Sequence, residues 1–536
     1  MNYGDVFLAL AKAIPDKPAL IHGDVRLSWS EFDARSSRLA NHLHGLGLKR
    51  LDKVAFYLAN SCVYSELLAA CFKGAFTHVN VNYRYVSGEL HYILDNSDSR
   101  VVCYHQRFAP QVAELRPTLP DVELWLEVTD EPGADPVNSF AVSYERIVAG
   151  PASCELSPDL KRSDEDLLFI YTGGTTGLPK GVMWEHTMLW EASLAATFEE
   201  PVESVEAMQQ AVAAAKGHHI FVPACPQMHG TGMITTINAL AQGACIVTLD
   251  VPKFDPHALW ECVQQHGVTQ IAIVGDAFAN PMLRALGEAD YDISSLQTII
   301  SSGIMWSPEN KRGLLEHNPQ MLLVDSFGSS EAIGFGSSVS SSEGTEEVAK
   351  FEIGPTCKVF TEDLREVRPG SGEVGFIARS GPIPLGYYKD EAKTAKTFIT
   401  VDGVRYSMPG DWCSVEADGT LTLLGRGSVC INSGGEKIYP EEVEEALKRH
   451  AAVRDALVVG VPSERWGQAV TALIELEPGS ETPGEDALIA HVRTQLAAYK
   501  APKSVLEVPA MFRAANGKAD YAGARTHALE ALGIAE

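Results

Sequence analysis

The stretch YTGGTTGLPKG, residues 171–181, gathers glycines, hydroxyls and a lysine in one short run. Gly173, Gly174 and Gly177 free the backbone to turn its N–H groups towards a common anion. Thr172, Thr175 and Thr176 add hydroxyl donors, and Lys180 adds a full positive charge. DLLFIYT before the run reads as a strand and GVMWEHTMLWEA after it as a helix, the setting of a phosphate loop. A Walker loop needs G-x-x-x-x-G-K-[ST]. Here Leu178 and Pro179 precede Lys180 and Gly181 follows, so that nucleotide-binding class is excluded.

Further short blocks carry chemistry only in company. DSFGSSE, residues 325–331, ends in Glu331, a hard carboxylate of the kind that suits Mg²⁺. Alone, Ser-Ser-Glu is more often a helix cap. SSGIMW, residues 301–306, follows a strand-like run. The Gly-Asp pair at Asp411 taken singly is a turn, and Lys518 in MFRAANGKADY taken singly is a solvated lysine.

In this order the blocks resemble those of the acyl-adenylate-forming superfamily, which includes acyl-CoA synthetases, peptide-synthetase adenylation domains and firefly luciferase. The resemblance runs from about residue 25 to 525, and it implies a site. The loop Thr172–Gly177 with Lys180 would hold ATP phosphates, and Thr176 and Glu331 would hold Mg²⁺. Ser302, Gly303 and Ile304 would border adenine. In the block Ser326, Phe327, Gly328, Ser329 and Ser330, Phe327 would stack on the base and Ser330 would contact the α-phosphate. Asp411, assisted by Arg426, would accept hydrogen bonds from the ribose. Lys518 would bridge carboxylate and phosphates, acting with Glu331 and His229 in catalysis. Ser428 would be the hinge, and Gly434 and Gly435 would line the pantetheine path of coenzyme A. The chain departs from the family pattern at Gly173 (usually Ser), Phe327 (Tyr), Ser330 (Thr) and Ser428 (Asp or Lys).

The acyl group is read from PACPQMHGTG and IVGDAFANPM. The first lacks the Asp usual in amino-acid-activating relatives, which points to a carboxylic acid without an α-amine. His229 would shape the acyl pocket, and the small residues Gly275, Ala277 and Gly303 would leave room for a long or bulky apolar chain. The implied activity is that of an AMP-forming acyl-CoA synthetase acting on a medium- or long-chain fatty acid or a sterol side chain. No carrier-protein region follows Lys518, which favours free CoA. The alternatives are an adenylating enzyme with another acceptor or an oxygenase chemistry, and a nucleotide-binding protein without catalysis.

Some patterns lead nowhere. GSGEVG, residues 370–375, matches G-x-G-x-x-G but opens onto a strand-like run, so it is no dinucleotide fingerprint. His218 and His219 lack a metal-site framework and read as structural. There is no G-x-S-x-G or H-E-x-x-H. The ten cysteines form no C-x-x-C pair and read as thiols of a reducing compartment.

Positioning these residues is the task of a 536-residue chain, long enough for two or more domains. KVAFYLA, LLFIYT, ACIVTL, QIAIVG, QTIISSG and QMLLVD read as buried strands, alternating with helices such as PHALWECVQQHG and PMLRALGEA. That alternation predicts an α/β fold, with a large N-terminal domain (1–425) of parallel-type sheets covered by helices. After about residue 350 short strands, turns and the helix PEEVEEALKRH predict a small mobile α+β C-terminal domain (426–536). The net charge of −27 argues against nucleic acid as a partner. No apolar run is long enough for an integral membrane segment, and the N-terminus does not read as a signal peptide, so the expected location is cytoplasmic. The expected partners are the small-molecule acid, ATP and CoA, with a homodimer left open.

Overall fold

A computed structural model describes the chain outside residues 86, 173–178, 195–201, 203, 216–217, 304–305, 345–349, 427–428, 430, 434–435, 464–465, 497, 514–516, 518 and 535–536. The described residues form two compact units, the first within 1–174, 178–348 and 380–407, the second within 349–379 and 408–536.

In the first unit, helix Trp29–Gly45 starts where the sequence predicts. The Ser28 N–H donates to Glu31 Oε2 at 2.8 Å, and Glu31 N–H donates back to Ser28 Oγ at 3.2 Å, closing a capping box. Its buried face of Trp29, Phe32, Leu39 and Leu43 turns inward. The six predicted strands all form, and their near-continuous apolar runs are those of strands covered on both faces.

One sheet of the unit runs Val25–Ser28, Pro18–His22, Cys245–Thr248, Ile220–Pro223, Gln270–Ile273, Thr298–Ser302, Leu322–Ser329, Ala332–Ser340. All its pairings are parallel except those at the two ends. The other runs Gly386–Tyr387, Lys180–Glu185, Leu167–Thr172, Thr77–Asn80, Lys53–Tyr57, Ser99–His105, Leu124–Val128, Val142–Ser143. From Leu167–Thr172 onward its pairings are parallel, so those strands present their carboxyl ends at one edge, where ligands gather in α/β sheets.

In the second unit, Lys350–Ile353, Leu421–Arg426, Asp411–Val415, Val374–Arg379 and Cys357–Phe360 form an antiparallel set. Strand Val374–Arg379 begins within GSGEVG and no helix opens from it, in keeping with its exclusion as a dinucleotide loop. A second sheet joins Glu436–Ile438, Ile431–Ser433, Gly467–Leu476 and Val453–Ser463, with Ser504–Glu507 parallel to Gly467–Leu476. Helix Pro440–Lys448 begins with proline, and acidic Glu441 and Glu442 occupy its first turn, as its dipole favours.

Candidate active site

The structure corrects the expected setting of the glycine–threonine loop. Residues 180–185 are a strand antiparallel to Leu167–Thr172, with Thr172 opposite Lys180 and Tyr171 opposite Gly181. The helix begins only at His186. Two facts make Lys180–Glu185 a strand. It is paired on both edges, the outer one by Gly386–Tyr387, and Val182 and Trp184 pack in the core. At Gly181 a Cβ would lie 2.7 Å from the Tyr171 ring, so only glycine lets that ring cross the pair. The loop therefore closes a hairpin, and an anion there would rely on loop N–H groups and Lys180 without a helix dipole. Gly173, Gly174, Thr175, Thr176 and Gly177 lie outside the described residues, and Thr172 ends the first strand.

Lys180 Nζ forms an ion pair with Asp390. Asp390 also accepts from Lys393 N–H at 2.9 Å, capping helix Glu391–Thr397. The hydrogen bond from Lys180 holds the Asp390 carboxyl below the usual carboxylate range.

Glu331 is fixed by the same strands. Ser329 pairs with Ala332, so Ser330 and Glu331 form the tip of a tight hairpin. Trp184 Nε1–H donates to Ser330 O at 2.8 Å, Ser407 Oγ–H to Glu331 O at 2.6 Å, and Tyr387 O–H to Glu331 Oε1 at 2.7 Å. Tyr387 stands opposite Val182 on the strand that carries Trp184. The base of the glycine loop and the Glu331 carboxylate thus share one rigid frame. The other Glu331 oxygen accepts no hydrogen bond among the described residues, and a hard oxygen held this way fits Mg²⁺. No group of three or more His, Cys, Asp or Glu able to hold a metal occurs among the described residues, so water and phosphate would complete the shell.

The rest of the block lies on the same strand. Phe327 is nearly buried, its ring 5.2 Å from that of Phe335. Ser326 stands opposite Ser302 of the neighbouring parallel strand. At Gly328 a Cβ would sit 3.1 Å from both Ala332 O and Gly334 N, a closeness that matches the register shift there. Ser329 Oγ is buried without a hydrogen-bond partner among the described residues.

His229 is the N-cap residue of helix Gly230–Ala241. A Cβ on Gly230 would lie 3.6 Å from Ser330 Oγ and 4.0 Å from Ile170, so the His229 segment, the Ser330 turn and the strand entering the loop converge. Two asparagines absent from the sequence-based site hold this arrangement. Buried Asn80 donates to Tyr171 O at 3.0 Å and Met228 O at 2.7 Å, and accepts from Tyr171 N–H at 2.7 Å. Asn60 donates to Pro223 O and Cys225 O, both at 3.0 Å, and accepts from Gln227 N–H at 2.7 Å.

Beside the expected adenine border, Gly275 N–H donates to Ser301 Oγ at 2.9 Å, and Gly275 and Gly303 have φ of 50° and 93°, conformations that favour glycine. Backbone geometry thus accounts for both glycines whatever the acyl chain. Ala277 is exposed on helix Asp276–Glu288, and Ile304 lies outside the described residues. Asp276 accepts from Ser307 N–H at 3.0 Å and Asn310 Nδ2 at 2.8 Å, and Lys311, buried, pairs with Asp325. Burial pushes the Asp325 carboxyl up to about 6, against the pull of Lys311.

In the second unit Asp411, nearly buried, stands opposite Arg426 on the adjacent strand. Arg513 grips Asp455 at 2.5 and 2.7 Å and donates to Gly517 O at 3.2 Å, which holds the residue before position 518. Ser433 pairs with Glu436, flanking positions 434 and 435. Lys518, Ser428, Gly434 and Gly435 lie outside the described residues.

This chain belongs to the AMP-binding enzyme family, whose profile matches residues 7–388, with the AMP-binding enzyme C-terminal domain matching 442–518. It is 41% identical over 532 residues, 98% of this chain and 96% of the relative, to a medium/long-chain-fatty-acid–CoA/3-oxocholest-4-en-26-oate–CoA ligase of Mycobacterium marinum. It is 40% identical over 543 residues, covering 98% and 95%, to a 3-oxocholest-4-en-26-oate–CoA ligase of Rhodococcus rhodochrous. Its fold is similar to the anthranilate CoA ligase AuaEII in complex with anthranoyl-AMP (TM-score 0.83, 22% identity, covering 100% and 98%). It is also similar to ATP-bound MatB from Rhodopseudomonas palustris (0.81, 23%, covering 98% and 99%).

Proposed function

We propose that this chain is an ATP-dependent acyl-CoA synthetase. It converts a medium- or long-chain fatty acid, or a bulky carboxylate such as a sterol side chain, to its CoA thioester through an acyl-adenylate. The observation that carries the reading is the clamp of Tyr387, Trp184 and Ser407 on the Ser330–Glu331 turn, with Trp184 on the strand that leaves the glycine–threonine loop and Tyr387 on the strand paired to it. The acid class rests on the 41% and 40% identical relatives, which span nearly the whole chain.

A carboxylate oxygen attacks the α-phosphorus of ATP, the bond to the bridging oxygen breaks, and pyrophosphate leaves. The sulfur of CoA then attacks the acyl carbon, loses its proton, and expels AMP. Both steps are served by orientation and charge stabilisation. Loop residues 173–177 and Lys180 receive the phosphates, with Lys180 exchanging Asp390 for a phosphate oxygen. Phe327 packs on adenine, Ser330 meets the α-phosphate, and Asp411 with Arg426 holds the ribose. His229 borders the acid, and Lys518 bridges it to the phosphates. Glu331, with Thr176, would hold Mg²⁺, which when bound neutralises phosphate charge. Residues 1–425 act as the ATP and acyl domain. Residues 426–536, turning at Ser428, exchange Lys518 for Gly434 and Gly435 between the steps. Among the described residues no helix is long and apolar enough to cross a membrane, and we place the enzyme in the cytoplasm.

The test is Lys518→Ala. Adenylate formation should be lost, while conversion of preformed acyl-AMP and CoA to thioester persists. A first half-reaction at the wild-type rate would overturn the role of Lys518.

A further inference from the structure

Lys180 and Asp390 are 210 positions apart in the chain, yet strand pairing brings them together. Tyr387 stands opposite Val182, and the next residue continues the contact, with Tyr388 N–H donating to Gly181 O at 2.8 Å. Two residues on, Asp390 caps helix Glu391–Thr397, its carboxylate accepting from Lys393 N–H at 2.9 Å. The first turn of that helix is tied back to the strand. Thr394 Oγ1–H donates to Asp390 O at 2.8 Å, and the same oxygen accepts from Tyr387 N–H at 2.9 Å. The phenol of Tyr387 in turn holds Glu331. The protein itself therefore fixes the Asp390 carboxylate on the frame that carries the Ser330–Glu331 turn. Its pair with Lys180 differs from other lysine–acid pairs of the unit. Lys73 and Lys311, paired with Asp33 and Asp325, have side chains only 1% and 2% exposed and are locked in the interior. The Lys180 and Asp390 side chains are 38% and 25% exposed. Water reaches such a pair, so opening it costs little. A phosphate oxygen can take Lys180 from Asp390, and the carboxylate can take it back.

We propose that Asp390 is a positioning residue that competes with phosphate for Lys180 and so weakens the hold on pyrophosphate after adenylation. This rests on the acyl-CoA synthetase reading, in which Ser330 meets the α-phosphate, leaving Lys180 to the phosphates that depart. With Lys180 turned to one of those oxygens, the fixed Asp390 carboxylate faces a like charge, which disfavours the complex. Once the bond to the α-phosphorus has broken, only non-covalent contacts retain pyrophosphate. Return of Lys180 to Asp390 removes one of them. No bond or proton changes place in this exchange, and the same competition lowers the affinity for ATP.

The test is Asp390→Asn, which keeps the helix cap and removes the charge. With Mg²⁺ present, Kd for ATP without acid and the product-inhibition constant of pyrophosphate should each fall about fivefold, the loss of one partly exposed competing ion pair. AMP lacks the phosphates assigned to Lys180, so its Kd should move by less than about twofold. The single-turnover rate of adenylation at saturating ATP should also stay within about twofold, since uniform binding is what changes. In a Lys180→Met background the same Asp390 change should leave both constants where they are, because the residue acts through that lysine. Unchanged constants for ATP and pyrophosphate, weaker binding of either, or an equal shift for AMP overturns the competition alone. ATP binding without acyl-AMP formation from any acid overturns the adenylation reading and this assignment with it.

Discussion

Tyr387→Phe removes one atom from the frame around Glu331. The ring stays, with its edge contact to Phe398 at 5.9 Å, and the 2.7 Å hydrogen bond to Glu331 Oε1 is lost. Both residues are nearly buried, at 5% and 9% exposure, so water replaces the hydroxyl poorly. A hydrogen bond to a charged group contributes about 1.5–3 kcal/mol. If that energy orients the carboxylate for adenylation, kcat/KM for ATP–pyrophosphate exchange falls roughly 10- to 150-fold. The Mg²⁺ concentration for half-maximal exchange rises in step, because the carboxylate proposed to hold the ion is less ordered. The assay is exchange at saturating fatty acid, run as a double-mutant cycle with Glu331→Gln. Once Glu331 is neutral, Tyr387→Phe should add less than about threefold, since the two residues act as one unit. Full additivity, or a single variant within about twofold of wild type, would refute the idea that Tyr387 acts through Glu331.

Two further perturbations probe the frame. Asn80→Ala leaves Tyr171 N–H, Tyr171 O and Met228 O without their partner, and should destabilise the protein by about 3–5 kcal/mol in denaturant unfolding; a loss below about 1 kcal/mol contradicts the clamp. Asp325→Asn should change the pH dependence of stability. Burial beside Asp276, against the pull of Lys311, raises the Asp325 carboxyl from 3.8 to about 6, so its contribution is fully present below about pH 4 and is lost as pH rises through about 6. The variant should therefore gain about 3 kcal/mol relative to wild type between pH 4 and pH 7. A pH-independent difference between the two would show that Asp325 ionises normally.

Much of the architecture was legible because it is local. The six buried strands are short apolar runs, and the Ser28–Glu31 cap and Pro440 helix start are written in adjacent residues. The segment after the glycine loop misled because Gly-Val-Met-Trp-Glu runs straight into a real helix at His186. What makes it a strand lies elsewhere, in Tyr171 across one edge and Gly386–Tyr387 across the other. The residues that fix Glu331 were invisible for the same reason. Tyr387 and Ser407 stand 56 and 76 positions from Glu331, and Trp184 146 positions from Ser330. Asn80 opens the NVNYRY run and acquires its role only when Tyr171 and Met228 arrive beside it. The Lys180–Asp390 pair spans 210 positions, and lysine in a phosphate loop gives no hint of a carboxylate partner.

The central claim is that one site adenylates a carboxylic acid and passes the acyl group to CoA. The direct measurement incubates the purified protein with ATP, CoA and a panel of carboxylates, from short fatty acids to sterol side-chain acids, and reads products by mass spectrometry. AMP and an acyl-CoA in equal amounts, greatest with medium- or long-chain or sterol acids and absent without ATP, are the predicted result. ADP in place of AMP, or no thioester with any acid of the panel, would contradict it.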